Sequence, residues 1–142
     1  MLLNYFICLV AVTGTKFLIR HISGLCVSIR ADKRLHLISD CKDHFTLTST
    51  KALQHIPTGQ CVIPERISNN AYLKLTTDCT TQFEQTSKFS VKHVSSGKCL
   101  HPEGGRIQPS VNTKVVIHSG CGEKRLQFKF DYGKFPFDSF GI

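Results

Sequence analysis

Apolar residues recur at every second position along short stretches of this chain. Leu35 and Leu37, Leu73 and Leu75, and Val115 and Ile117 each stand two apart, shortly before a cysteine. That period of two is the signature of a half-buried strand. Other short runs end in the same way, with Phe45, Phe83, and Phe128 with Phe130 as their apolar anchors. Glycine, serine and asparagine punctuate the gaps, as expected between strands. No stretch shows helical periodicity of useful length.

The pattern repeats three times, over residues 16–50, 51–87 and 88–133. Each segment opens with a lysine and continues into an apolar run that ends in histidine and an aliphatic residue: His21-Ile22, His55-Ile56 and His93-Val94. A G-x-C triplet follows each time, at Gly24 to Cys26, Gly59 to Cys61 and Gly97 to Cys99. A second cysteine comes after the alternating strand, at Cys41, Cys79 and Cys121. Four strands per segment predict twelve in all, an all-β chain of three repeats. Three units are too few to close a propeller. The expected fold is therefore a β-trefoil, a barrel capped by three hairpins. Equivalent positions should behave alike, so the expected disulfides lie within repeats: Cys26–Cys41, Cys61–Cys79 and Cys99–Cys121. The recurring histidines read as architectural, because a position repeated in every unit is more often structural than reactive.

Composition sharpens this. The chain has 142 residues, enough for one domain with a substantial core. It has no tryptophan, so Phe, Leu, Ile and Val must fill that core. Residues 1–14, MLLNYFICLVAVTG, are uncharged and too short to span a bilayer. They read as a secretory signal peptide without a basic start, or else as a first strand. If they are removed, Cys8 leaves with them and six cysteines remain. An even number behind a signal implies an oxidising, extracellular compartment. The domain then occupies 15–134, and 135–142 form a C-terminal tail.

The third repeat carries a more specific pattern. Val91 to Gly105 reads VKHVSSGKCLHPEGG, and Asn112 to Ser119 reads NTKVVIHS. These runs resemble the mytilectins, β-trefoil lectins that bind galactose and N-acetylgalactosamine. Phe17 to His21 resembles that family's first strand, and the first two repeats share its framework. The resemblance implies a sugar site built from an H-P-x-G-G loop and a later H-x-D-x-H segment. The first half is intact as His101, Pro102, Glu103, Gly104 and Gly105. A neutral histidine can donate to or accept from hydroxyls, and the two glycines permit close ligand approach. The second half departs from the family. His118 stands at its first histidine, but Gly120 replaces the aspartate, Gly122 stands near the second histidine, and the loop is one residue longer. Glu123 is the candidate replacement carboxylate. The implied carbohydrate contacts are His101, Gly104, Gly105, His118 and Glu123. Neither other repeat has the motif, so at most one such site is expected. Taken without its flanks, the H-P-E-G-G run could also be a plain turn.

The formal charge of +8 favours acidic partners such as sulfated glycans, and secretion argues against nucleic acid. The competing expectation is a growth-factor-like or cytokine-like trefoil that binds a receptor or a sulfated glycosaminoglycan. A protease inhibitor would need one distinctive loop, and no loop stands out. The acidic residues form no catalytic pair, no G-x-S-x-G motif occurs, and no C-x-x-C pair suggests a metal. The chain is expected to be neither an enzyme nor a holder of metal or cofactor, and not to cross a membrane.

Overall fold

The computed structural model describes residues 15–133. The expected signal segment, Cys8 and the tail 135–142 lie outside the described residues. Twelve strands run through the rest. Repeat one contributes β1 (Leu18–His21), β2 (Cys26–Ile29), β3 (Leu35–Ile38) and β4 (Phe45–Leu47). Repeat two contributes β5 (Leu53–His55), β6 (Cys61–Pro64), β7 (Ala71–Thr76) and β8 (Phe83–Gln85). Repeat three contributes β9 (Val91–His93), β10 (Cys99–Pro102), β11 (Val115–His118) and β12 (Phe128–Asp131). A single 3-10 turn, Lys124–Leu126, precedes β12.

The pairing is cyclic. The last strand of each repeat pairs antiparallel with the first strand of the next: β4 with β5, β8 with β9, and β12 with β1. The middle strands form hairpins β2–β3, β6–β7 and β10–β11. These hairpins meet one another through Val116↔Tyr72, Arg34↔Lys74 and His36↔Lys114. This is the β-trefoil that the repeats predict.

The core obeys the same threefold rule. Leu37, Leu75 and Ile117 are buried equivalents, as are Val27, Val62 and Leu100, and Phe45, Phe83 and Phe128. Burial of one large side chain of this kind contributes about 1.5–3 kcal/mol relative to exposure. Each architectural histidine packs against the closing phenylalanine of the preceding repeat: His21 on Phe128, His55 on Phe45, His93 on Phe83. Their Nδ1 atoms meet Ser23, Thr58 and Ser96 hydroxyls at 2.8, 2.9 and 2.7 Å. The repeat histidines thus seal one unit against the next.

The three disulfides are the expected ones, Cys26–Cys41, Cys61–Cys79 and Cys99–Cys121. Each ties the start of its hairpin's first strand to the segment that leaves the second. Among the described residues, no helix is long and apolar enough to cross a membrane, and no group of His, Cys, Asp or Glu could hold a metal ion.

Candidate functional site

The third hairpin and the loop that follows it bring the sequence-marked residues together. β10 and β11 pair with His101 opposite Val116 and Cys99 opposite His118. His101 and His118 therefore lie on one face, two positions apart along the ladder. Their rings stack with centroids 4.9 Å apart. His101 is buried at 6% exposure, whereas His118 is partly open. His101 forms the floor of the site.

Hydrogen bonding fixes what each ring presents. His101 Nε2 donates to the Gly120 carbonyl at 2.6 Å. The proton of the neutral ring therefore sits on Nε2, and Nδ1 is an acceptor. Burial lowers the His101 pKa below 6.5; the Gly120 carbonyl opposes this, but His118 and Arg125 reinforce it. The ring is neutral at pH 7. The Gly120 amide donates to His118 Nδ1 at 3.4 Å, which leaves Nε2–H of His118 as a donor. One acceptor and one donor side by side suit a pair of neighbouring hydroxyls.

The loop after β10 is a tight turn. Gly105 donates its amide to the Pro102 carbonyl at 2.8 Å. Gly104 and Gly105 both have positive φ, +88° and +65°, the region that favours glycine. Gly105 has a second reason to lack a side chain. A Cβ there would lie 2.8 Å from Arg125 Nη1, and that same Nη1 donates to the Gly105 carbonyl at 2.9 Å.

Arg125 also donates from Nε to Glu123 Oε1 at 3.1 Å. It thereby joins the two halves of the site. The 3-10 turn sets this geometry, since Glu123 precedes it and Arg125 lies within it. Glu123 Oε2 lies 3.7 Å from where a Cβ on Gly120 would stand, and His101 Cε1 lies 3.5 Å from the same point. The Glu123 carboxylate thus enters the space that Gly120 leaves open beside His101. Gly122 is anchored by its amide to Ser90 Oγ at 2.9 Å, and a Cβ there would lie 3.3 Å from Lys88 Cδ.

Residues from the second repeat hold the site from outside. Tyr72 OH donates to Glu103 Oε2 at 2.7 Å, and that bond raises the Tyr72 pKa. The Arg34 guanidinium lies 4.4 Å from the Tyr72 ring centroid, and Glu65 grips Arg34 at 2.6 and 3.0 Å. Asn69 Oδ1 accepts from the Ser119 amide at 3.0 Å, next to His118. Of the five sequence-marked residues, His101 stacks on His118, His101 and Glu123 both approach Gly120, and Arg125 ties Glu123 to Gly105; Gly104 lies in the adjoining turn with nothing within 4 Å of its open side. The sequence reading gave no part in this site to Arg125, Tyr72 or Asn69. The E-K-R run after the last cysteine was the one local signal for Arg125. Nothing local signals the other two.

A family model described as MytiLec, alpha-D-galactose-binding lectin, matches residues 52–134, which covers the second and third repeats. No curated protein matches the chain significantly in sequence. Among solved structures, the agglutinin from Abrus precatorius is similar at 18% identity and a TM-score of 0.70, covering 84% of this chain and 49% of that one. This chain thus spans about half the length of that agglutinin. The C-half of an earthworm R-type lectin, solved in complex with GalNAc, is similar at 7% identity and a TM-score of 0.66, covering 82% of this chain and 98% of that one. The designed threefold-symmetric protein ThreeFoil is similar at 14% identity and a TM-score of 0.65, with coverage of 82% and 98%. At these identities the structural likeness concerns the fold.

Proposed function

The chain belongs to the alpha-D-galactose-binding lectin family, and from that premise we propose that it binds one galactose or N-acetylgalactosamine unit at its third repeat. His101 Nδ1 accepts a hydrogen bond from one sugar hydroxyl, and His118 Nε2–H donates to a neighbouring one. Gly104, with nothing within 4 Å of its open side, lets the sugar approach the backbone, while Gly105 makes room for the Arg125 guanidinium. Glu123, held by Arg125, supplies the carboxylate acceptor. The single observation that carries this reading is the approach of Glu123 Oε2 to the open side of Gly120, beside His101. A carboxylate acceptor belongs to the stronger class of hydrogen bond. The first two repeats offer no counterpart motif. Val27, Ser28 and Ile29 follow Cys26, and Val62, Ile63 and Pro64 follow Cys61.

Each net hydrogen bond contributes about 1 kcal/mol, so three or four of them correspond to roughly millimolar affinity. The protein acts by binding, without catalysis, and useful avidity requires several sites presented together. The secretory reading of residues 1–14 and the three disulfides support an extracellular setting. Lys88, Arg106 and Lys124 flank the site, and their side chains have no hydrogen-bond or ion-pair partner among the described residues. They favour sulfated galactosides as a second class of ligand.

The test is calorimetric titration with galactose, galactose 6-sulfate and glucose. Galactose should bind and glucose should not, and the sulfated sugar should gain affinity at low salt. Glu123→Gln should weaken galactose without shifting the melting temperature, because Glu123 is exposed. His101→Ala should abolish binding. Equal binding of glucose, or an unaffected Glu123→Gln variant, overturns the assignment.

A further inference from the structure

A recess of about 300 Å³ opens between the first and third repeats, lined by Arg20, His21, Ile22, Gly24, Phe89, Gln127, Phe128 and Lys129. Its walls are largely apolar. Arg20 adds little charge, because Asp131 holds its Nε at 2.8 Å. Two side chains at its mouth are costly to leave in water. Ile22 is 38% exposed and Phe89 is 46% exposed.

Phe89 is unusual in a second way. Its φ is +57°, a left-handed conformation that bulky residues rarely adopt. The equivalent position in repeat two is Lys51, also left-handed at +72°. The fold therefore demands the turn but not the aromatic ring. Neither the trefoil core nor the sugar contacts explain a half-exposed phenylalanine there.

One segment of chain, residues 123–128, links the sugar site to the recess. Lys88, the neighbour of Phe89, packs beside Gly122. The Arg125 guanidinium holds Gly105, while the Arg125 carbonyl accepts from His21 Nε2 at 2.8 Å. The Gln127 carbonyl accepts from the Ile22 amide at 3.0 Å, and the Phe89 carbonyl accepts from the Phe128 amide at 2.8 Å. The segment Glu123 to Phe128 thus has the sugar site at one end and the recess at the other. We propose that the recess receives the apolar aglycone of the galactoside bound at the third repeat, so that the preferred ligand is a galactose joined to an alkyl or aryl group. This rests on the sugar-site reading above.

The experiment compares methyl α-galactoside, octyl α-galactoside and octyl glucoside, the last below its micelle concentration. Octyl α-galactoside should bind about tenfold or more tightly than the methyl compound, the gain expected from burying two or three methylenes. Phe89→Asn suits a left-handed backbone and keeps the fold, and it should erase most of that gain while leaving the methyl compound's affinity in place. Ile22→Ser should do the same to a smaller degree. If methyl α-galactoside binds and the octyl chain adds nothing, the aglycone inference falls and the sugar reading stands. If neither galactoside binds, both fall. Octyl glucoside binding as tightly as octyl α-galactoside, or a gain that survives Phe89→Asn, also overturns the inference.

Discussion

His101 is a buried imidazole whose usefulness depends on staying uncharged. Burial lowers its pKa below 6.5, and the positive charge of nearby Arg125 acts in the same direction. Protonation would place a proton on Nδ1 and remove the acceptor that the sugar needs. The sign is therefore definite. As pH falls from 8, galactose affinity should hold until below 6.5, then decline as the ring charges. Histidine ring resonances followed by NMR should give His101 a midpoint below 6.5, and a midpoint above that value would contradict the neutral floor. The parts of this site written in adjacent residues were legible in the sequence. His101 to Gly105 announce a turn with special backbone needs, and His118 follows at strand spacing. Arg125 and Tyr72 were not legible, because their contacts with Gly105 and Glu103 arise only when strands distant in sequence meet. The Glu123 carboxylate lay between the two cases. The absent side chain at Gly120 pointed to it, but only the 3-10 turn brings it beside His101.

Among the elements, the β10–β11 hairpin is the one that both carries the site and is closed by a bond bracing it. Cys99–Cys121 spans 22 residues, against 15 for Cys26–Cys41 and 18 for Cys61–Cys79. In the chain-entropy model each such loop contributes about 3 kcal/mol, with only weak dependence on length. Removing either the first or the third bridge, with both cysteines of the pair changed to alanine, should therefore cost similar stability in urea titrations. Binding should separate them. Loss of Cys99–Cys121 frees the Gly120 to Glu123 segment and should weaken galactose, while loss of Cys26–Cys41 should leave it nearly intact. Comparable loss of affinity in both would mean that the third hairpin is not specially braced. The strands and these bridges were readable in advance, since period-two apolar spacing and threefold recurrence both point to them. The Lys124–Leu126 turn was not readable, because three residues leave no periodic trace.

Across the whole molecule, carboxylates stand at the seams between repeats. Glu65 of repeat two holds Arg34 of repeat one at 2.6 Å, and Asp131 of repeat three holds Arg20 of repeat one at 2.8 Å. Asp43 of repeat one accepts from Ser28 Oγ and the Ile29 amide, and it faces His55 of repeat two at 3.3 Å. The bond to Arg34 lowers the Glu65 pKa. Burial pushes the Asp43 pKa up, but Ile29, Ser28 and His55 together outweigh it, and the net direction is down. A carboxylate with a depressed folded pKa gives stability above its unfolded value, lost as pH falls through the folded one. His21, His93 and His101 act from the other side. Burial lowers their pKa values below 6.5, so stability begins to fall once the unfolded chain can protonate them. The melting temperature should thus be flat above pH 7, decline gently below 6.5, and drop steeply below the unfolded carboxylate values of 4.5 and 3.8. Asp43→Asn should flatten the steep part while leaving the gentle part in place. The two limbs have different origins, since the upper one belongs to imidazoles sealed inside the fold and the lower one to charges that join one repeat to the next. A single steep transition centred near 6.5, unchanged by Asp43→Asn, would mean that the buried histidines alone govern acid unfolding.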